Sequence, residues 1–203
     1  MALDPQHPIL ALARNKGVLR TRDVDAAGQS RVTLAQLLRE GQLAQLGRGL
    51  YALPDRPLSE HGALAEVATK SKRGVVCLIS ALRLLQLTTQ QSSEIWLAIP
   101  HKAHPPKLTY PPLRVVHMSG EAMVQGIETV DVGGVGVRVF CVAKTVADCF
   151  KFRNKIGLDV ALEALHEAWR QRRVTMDELW RYGQICRVAN VMRPYMEALG
   201  AKP

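Results

Sequence analysis

Two glycines, Gly28 and Gly41, fence off a helix too short to stand alone. Ser30 is a good N-cap for it, and it runs from Arg31 to about Glu40. Leu34, Leu37 and Leu38 fall at i, i+3 and i+4, so one side is an apolar stripe. An isolated helix of about ten residues is marginal in water, so the stripe must be covered by neighbouring chain. Upstream, Ile9, Leu10, Leu12 and Ala13 predict a first helix after Pro8 that ends before Gly17. Val18-Leu19 is a short apolar step. Thr21 is the expected N-cap of a second helix through Ala27, with Asp23 at its positive end and Gly28 closing it. Downstream, Leu43, the turn Leu46-Gly47-Arg48-Gly49 and the run Leu50 to Leu53 predict two short strands in a hairpin around Arg48.

Two short helices joined at Gly28 and followed by a hairpin describe a winged helix-turn-helix. The second helix of such a unit enters the major groove, so the side opposite its leucines has to carry groups that read base edges. At about 100° per residue that side holds Val32, Gln36 and Arg39, with Thr33 at the flank. Gln36 suits adenine, Arg39 suits guanine or phosphate, and Val32 and the Thr33 methyl suit a thymine methyl. Arg31 lies near the edge of the stripe, where a phosphate contact and a local structural role are equally open. Arg48, between two glycines at the wing tip, suits a minor-groove or phosphate contact. Thr21, Arg22 and Ser30, at the helix starts, complete the candidate DNA-binding set. One arginine alone is an ordinary solvated charge; only the assembled pattern points to DNA. Seven basic residues from Arg14 to Arg48 face only Asp23, Asp25 and Glu40, the right sign for a polyanion.

The stretch Leu53 to Gly62, with Pro54, Asp55 and Pro57, breaks both helix and ladder. It divides a winged helix-turn-helix domain, 1–56, from a longer domain, 57–203. In the latter, helices are expected over Leu58 to Lys70 and Ser80 to Gln86, and strands at Glu94 to Pro100 and Leu113 to Met118. A hairpin is expected around Gly133-Gly134. Helices then follow at Ala143 to Phe152, Leu158 to Gln171, Thr175 to Cys186 and Ala189 to Leu199. Thr175 and Glu178 form a capping box. The fold class is therefore α+β: a winged helix-turn-helix followed by a mixed α/β domain ending in helices.

Lys and Arg number 27 against 18 Asp and Glu, a net charge of +9, which favours nucleic acid or another polyanion as partner. No run approaches the roughly 18 apolar residues of a membrane span, and Met1 to Arg14 lacks the pattern of a secretory signal. A cytoplasmic protein without a membrane partner is expected. Cys77, Cys141, Cys149 and Cys186 contain no CxxC pair and read as reduced, mostly buried thiols. His101 and His104 lie in a cationic, proline-rich loop, so no metal and no cofactor are expected. Gly133-Gly134 lacks the Gly-Lys-Ser/Thr of a phosphate loop. Glu94 and Asp131 lack the lysine of a two-carboxylate nuclease, and no nucleophile elbow is present. No catalytic residue is assigned, and the protein is expected not to be an enzyme. Lys144, Lys151, Arg153 and Lys155 face only Asp148. They form a candidate basic patch for DNA backbone, a nucleotide or an acidic partner. Lys144, Asp148 and Lys151 also share a helical face, so a solvated, internally paired surface is an equal reading. Arg153-Asn154-Lys155 is expected in a loop before Gly157.

Leu19 to Asp55 resembles the N-terminal winged-helix domain of AbiEi-type antitoxins, the antitoxin halves of type IV toxin–antitoxin systems of abortive phage infection. The matching features are Gly28-x-Ser30-Arg31, Leu34, Leu37, Glu40-Gly41 and Leu46-Gly47-Arg48-Gly49-x-Tyr51. Ile79 to Leu87, Glu94 to Pro100 and Val137 to Leu165 are similar to the second half of that family, so the resemblance spans nearly the whole chain. It implies a DNA-binding transcriptional autorepressor that binds inverted repeats in its own promoter, with a dimer on DNA. It also implies an antitoxin that counters a nucleotidyltransferase toxin. Two other readings stay open: a protein-interaction antitoxin without promoter binding, and a stand-alone regulator without a toxin.

Overall fold

The computed structural model describes residues 7–47, 49–54, 60–108 and 111–200. It is α+β: helices and a small sheet come first, then a larger sheet, then a run of helices. The chain divides into two compact units. The first comprises residues 1–72, 106–108 and 131–137, and the second the remainder.

The first unit opens with α1 (Pro8–Lys16), which has Pro8 in its first turn, and ends at Gly17. β1 (Leu19–Arg20) leads directly into α2 (Thr21–Ala26). Arg20, not Thr21, is the N-cap. The Thr21 N–H donates to Gly49 O at 3.1 Å, and the Arg20 N–H donates to the Asp23 carboxylate at 2.9 Å. The chain therefore turns into the helix one residue earlier than the hydroxyl suggests. α2 closes with Gly28 N–H on Asp25 O and Gln29 N–H on Val24 O, and Gly28 at φ +67° supplies the left-handed residue this closure requires. α3 (Arg31–Arg39) follows, then β2 (Ala44–Gly47) and β3 (Leu50–Ala52).

β3 is the centre of a three-stranded antiparallel sheet, β1-β3-β2. The β2–β3 register shifts between Gln45 and Gly47, a bulge at the hairpin's end. Leu34 and Leu37 of α3 pack with Ile9, Leu10, Ala13, Leu19, Val24 and Leu43, and Leu38 and Tyr51 lie against that cluster. α4 (Glu60–Lys70) packs on β2. Its Ala65 joins Val18 and Leu50 in a second cluster, with Leu46 and Val135 against it. By packing, then, the first unit continues past residue 56, where the sequence suggests a division.

In the second unit β4 (Val75–Val76) precedes α5 (Leu78–Leu84), β5 (Ile95–Pro100), β6 (Leu113–Met118), α6 (Glu121–Val124), β7 (Ile127–Val132) and β8 (Val135–Phe140). The sheet order is β6-β5-β4-β8-β7. β4 runs antiparallel to β5 and parallel to β8, and β5 runs parallel to β6. β5 is buried from Ile95 to Ile99, as a central strand covered on both faces must be, whereas β6 exposes Arg114 and His117. The two-residue turn Gly133-Gly134 joins β7 to β8 as the sequence predicts, both glycines having positive φ. Its residues, 131–137, belong to the first unit.

The remaining helices are α7 (Val142–Lys151), α8 (Arg153–Ile156), α9 (Leu158–Arg170), α10 (Met176–Ile185) and α11 (Ala189–Gly200). The Thr175–Glu178 capping box starts α10. α7 is the hub: α5, α9, α10 and α11 all pack on it, and it is buried from Val142 to Phe150.

Candidate nucleic-acid interface

α3 is held by capping at both ends and by its leucines. Ser30 Oγ accepts the Val32 N–H at 3.1 Å. At the other end Gly41, at φ +70°, donates to Leu38 O while Gln42 donates to Leu37 O. Leu34 and Leu37 are 3% and 0% exposed, each contributing roughly 1.5–3 kcal/mol by burial. The opposite face points outward: Val32 is 74% exposed, Ala35 and Arg39 are exposed, and Gln36 and Thr33 are half-buried. The structure thus brings the sequence-predicted Val32, Gln36 and Arg39 together on one outward strip. Gln36 Nε2 donates to Glu40 Oε1 at 2.9 Å along the helix, so a base would have to replace or share that bond.

Arg31 is engaged locally. Its Nε and Nη2 donate to the two oxygens of Asp25 at 2.9 and 2.6 Å, a bidentate clamp from α3 back to α2. The Arg31 guanidinium holds the Asp25 carboxyl below the usual carboxylate range. The local role left open by the sequence is therefore the one occupied here. Asp25 itself escaped sequence reasoning. Its only signal was an acid six residues before Arg31, across the turn.

Arg22 is exposed at the start of α2. Thr21 is half-buried beside the hairpin turn, and a Cβ built on Gly49 would stand 3.2 Å from its Oγ1. Ser30 is committed to capping. Arg48 lies outside the described residues. Lys16 pairs with Asp23 at 2.7 Å, which ties the end of α1 to α2.

Lys144 drops out of the basic patch expected at 144–155. Lys144 is fully buried, not solvated: its Nζ lies 2.6 Å from Asp148 Oδ2, itself fully buried, and 4.1 Å from the Phe140 ring centre. Cys186 Sγ donates to the other Asp148 oxygen at 3.3 Å. The cause is position, because α7 is enclosed by four helices and its i,i+4 pair faces the core. Arg153 and Lys155 lie on α8 rather than in a loop. Arg153 donates to Phe150 O at 2.9 Å, and Lys155 Nζ stands 5.7 Å from the Phe152 ring. Lys151 and Lys155 are exposed and Arg153 is half-buried.

All four cysteines are free. Burial pushes the Cys77 and Cys149 thiols well up and Cys186 up to about 12, so these three stay protonated near neutral pH. Among the described residues, no cluster of three His, Cys, Asp or Glu side chains could hold a metal, and no helix is long and apolar enough to cross a membrane.

Residues 7–54 match the family model described as "Transcriptional regulator, AbiEi antitoxin". No curated protein matches the chain. Among solved structures, the RV2827C protein from Mycobacterium tuberculosis aligns over 96% of this chain and 80% of its own, at 13% identity and a TM-score of 0.46. Residues 7–54, the segment that carries α1 to β3, are thus similar to the AbiEi antitoxin transcriptional regulators.

Proposed function

We propose that the protein is a DNA-binding transcriptional autorepressor that reads duplex DNA with α3. The observation that carries this reading is the two-sidedness of α3. Leu34 and Leu37 are sealed in the core while Val32, Gln36 and Arg39 lie on the opposite side over about two turns. A valine flanked by an amide and a guanidinium on one face is the complement of a thymine methyl beside purine edges. Arg39 and Gln36 supply base contacts. Arg22 and, at the wing, Arg48 supply phosphate contacts that fix register. Arg31 braces the turn through Asp25. The family match over residues 7–54 supports the regulatory and antitoxin roles; a nucleotidyltransferase toxin as partner and a dimer on inverted repeats are part of the proposal itself.

The test is titration of the full chain against duplex DNA from upstream of its own gene, and against unrelated duplex, at several salt concentrations. The reading expects preference for the upstream duplex and an affinity that falls with salt at a slope set by several phosphates. Equal binding of both duplexes defeats base reading. Absence of binding leaves the protein-interaction antitoxin in its place.

A further inference from the structure

The second unit carries a cleft of about 770 Å³ beside the C-terminal end of α10. Lys151 from the end of α7, Arg181 and Gln184 from α10, and Arg187 just beyond it line one part. Ser119 and Glu121, flanking the start of α6, line another. Three cations therefore meet one carboxylate. Among the described residues, no ion pair or side-chain hydrogen bond engages Lys151, Arg181 or Arg187, although Arg181 lies over the Tyr182 ring at 5.5 Å. Glu121, the Tyr182 ring beside Arg181 and the buried Asp148 charge near Lys151 offset the mutual repulsion of these three cations only in part, and an anion in the cleft relieves the remainder. The lining offers donors and no aromatic face, since Tyr182 is not among the lining residues and is itself buried. It thus suits a compact, highly charged ligand better than a flat apolar one.

We propose that this cleft binds a compact polyphosphate anion, with Arg181, Arg187 and Lys151 as its charge partners and Ser119 and Gln184 as neutral hydrogen-bonding groups. Free pyrophosphate, a triphosphate and the phosphate tail of a nucleotide share this chemistry. The inference is independent of DNA reading by α3.

Arg187 makes a clean test available. It is the left-handed residue that closes α10, at φ +59°, donating to Gln184 O while Val188 donates to Gly183 O. Glycine is the residue most at ease there, so Arg187→Gly removes the cation without harming the fold. Calorimetric titration of the full chain with sodium pyrophosphate, tripolyphosphate and ATP is the measurement, alongside Arg187→Gly and Arg181→Gln. The expected result is one site per chain. Each substitution weakens it about tenfold, the usual loss for one charged hydrogen bond, while the melting temperature of Arg187→Gly equals or exceeds that of the parent. Comparable affinity for all three ligands assigns recognition to the phosphates, and a preference for ATP assigns it to the nucleotide; both support the site. Absence of binding, or binding that neither substitution weakens, overturns it. So does a cleft in which the same substitutions weaken only duplex DNA or an acidic polypeptide.

Discussion

Val32 and Arg39 carry the sharpest expectations. Arg39→Ala should cost about 1–3 kcal/mol of DNA affinity and relax the preference for the upstream duplex if it reads a base. Because Arg39 is exposed, the melting temperature should hardly move. Competition binding against single-base variants of the duplex checks both points, and a uniform loss across all variants would reassign Arg39 to phosphate. Gly28→Ala has the opposite signature. Nothing lies within 4 Å of a Cβ built there, so the cost is backbone strain alone, about 1–2 kcal/mol of stability, measured by denaturant titration. These residues were legible in the sequence because their roles follow from local rules: helical spacing for Leu34 and Leu37, capping for Ser30, left-handed φ for Gly28. Lys144 was not. Its i,i+4 spacing to Asp148 is the same on a wet face as on a dry one, and only the helices around α7 decide between them.

At the element scale, the relation between α2 and α3 is set by the glycine turn and by the Arg31–Asp25 clamp. The clamp depresses the Asp25 pKa in the folded state. Its contribution is therefore present above the unfolded carboxylate value and is lost only as pH falls through the lower folded value. The account expects the Asp25 carboxyl, followed by carbon-detected NMR, to titrate below the ordinary carboxylate range, and to return to that range in Arg31→Gln. A normal Asp25 titration in the parent chain would show that the clamp is not held in solution. The larger elements, α3, β5, α9 and α10, could be read from periodicity and caps. β1 and β4 could not, since each has two residues and exists only through pairing with β3, or with β5 and β8. α8 has four residues, too few to show a helical period, and Gly157 directly after it signals a loop. The cleft residues Arg181 and Arg187 carried no local signal beyond charge.

For the whole molecule, the division at 56 and the packing give different fragments. A fragment of residues 1–56 lacks Ala65 and Val135, which cover Val18 and Leu50. Uncovering both removes roughly 1.5–3 kcal/mol each, a large share of a small domain's stability. Circular dichroism should show weaker, broader melting for that fragment than for the full chain, and an equally sharp transition at the same temperature would contradict the packing. In the second unit, Lys144→Met alone leaves Asp148 buried without its cation and should cost about 3–5 kcal/mol, whereas Lys144→Met with Asp148→Leu should recover most of that loss. Burial raises the Asp148 carboxyl, so its contribution is full at low pH and lost as pH rises through the folded value. The double variant should therefore gain on the parent from acid toward neutral pH, read by denaturant titration at each pH. The claim on which the functional reading rests is that α3 is the surface that meets DNA. Methyl and amide NMR of the full chain during addition of its upstream duplex tests it most directly. The account predicts that the Val32 methyls and the amides of Arg31–Arg39 shift first and furthest, with the buried Leu34 and Leu37 methyls following weakly. Shifts confined to other surfaces, with Val32 unmoved at saturation, would contradict it.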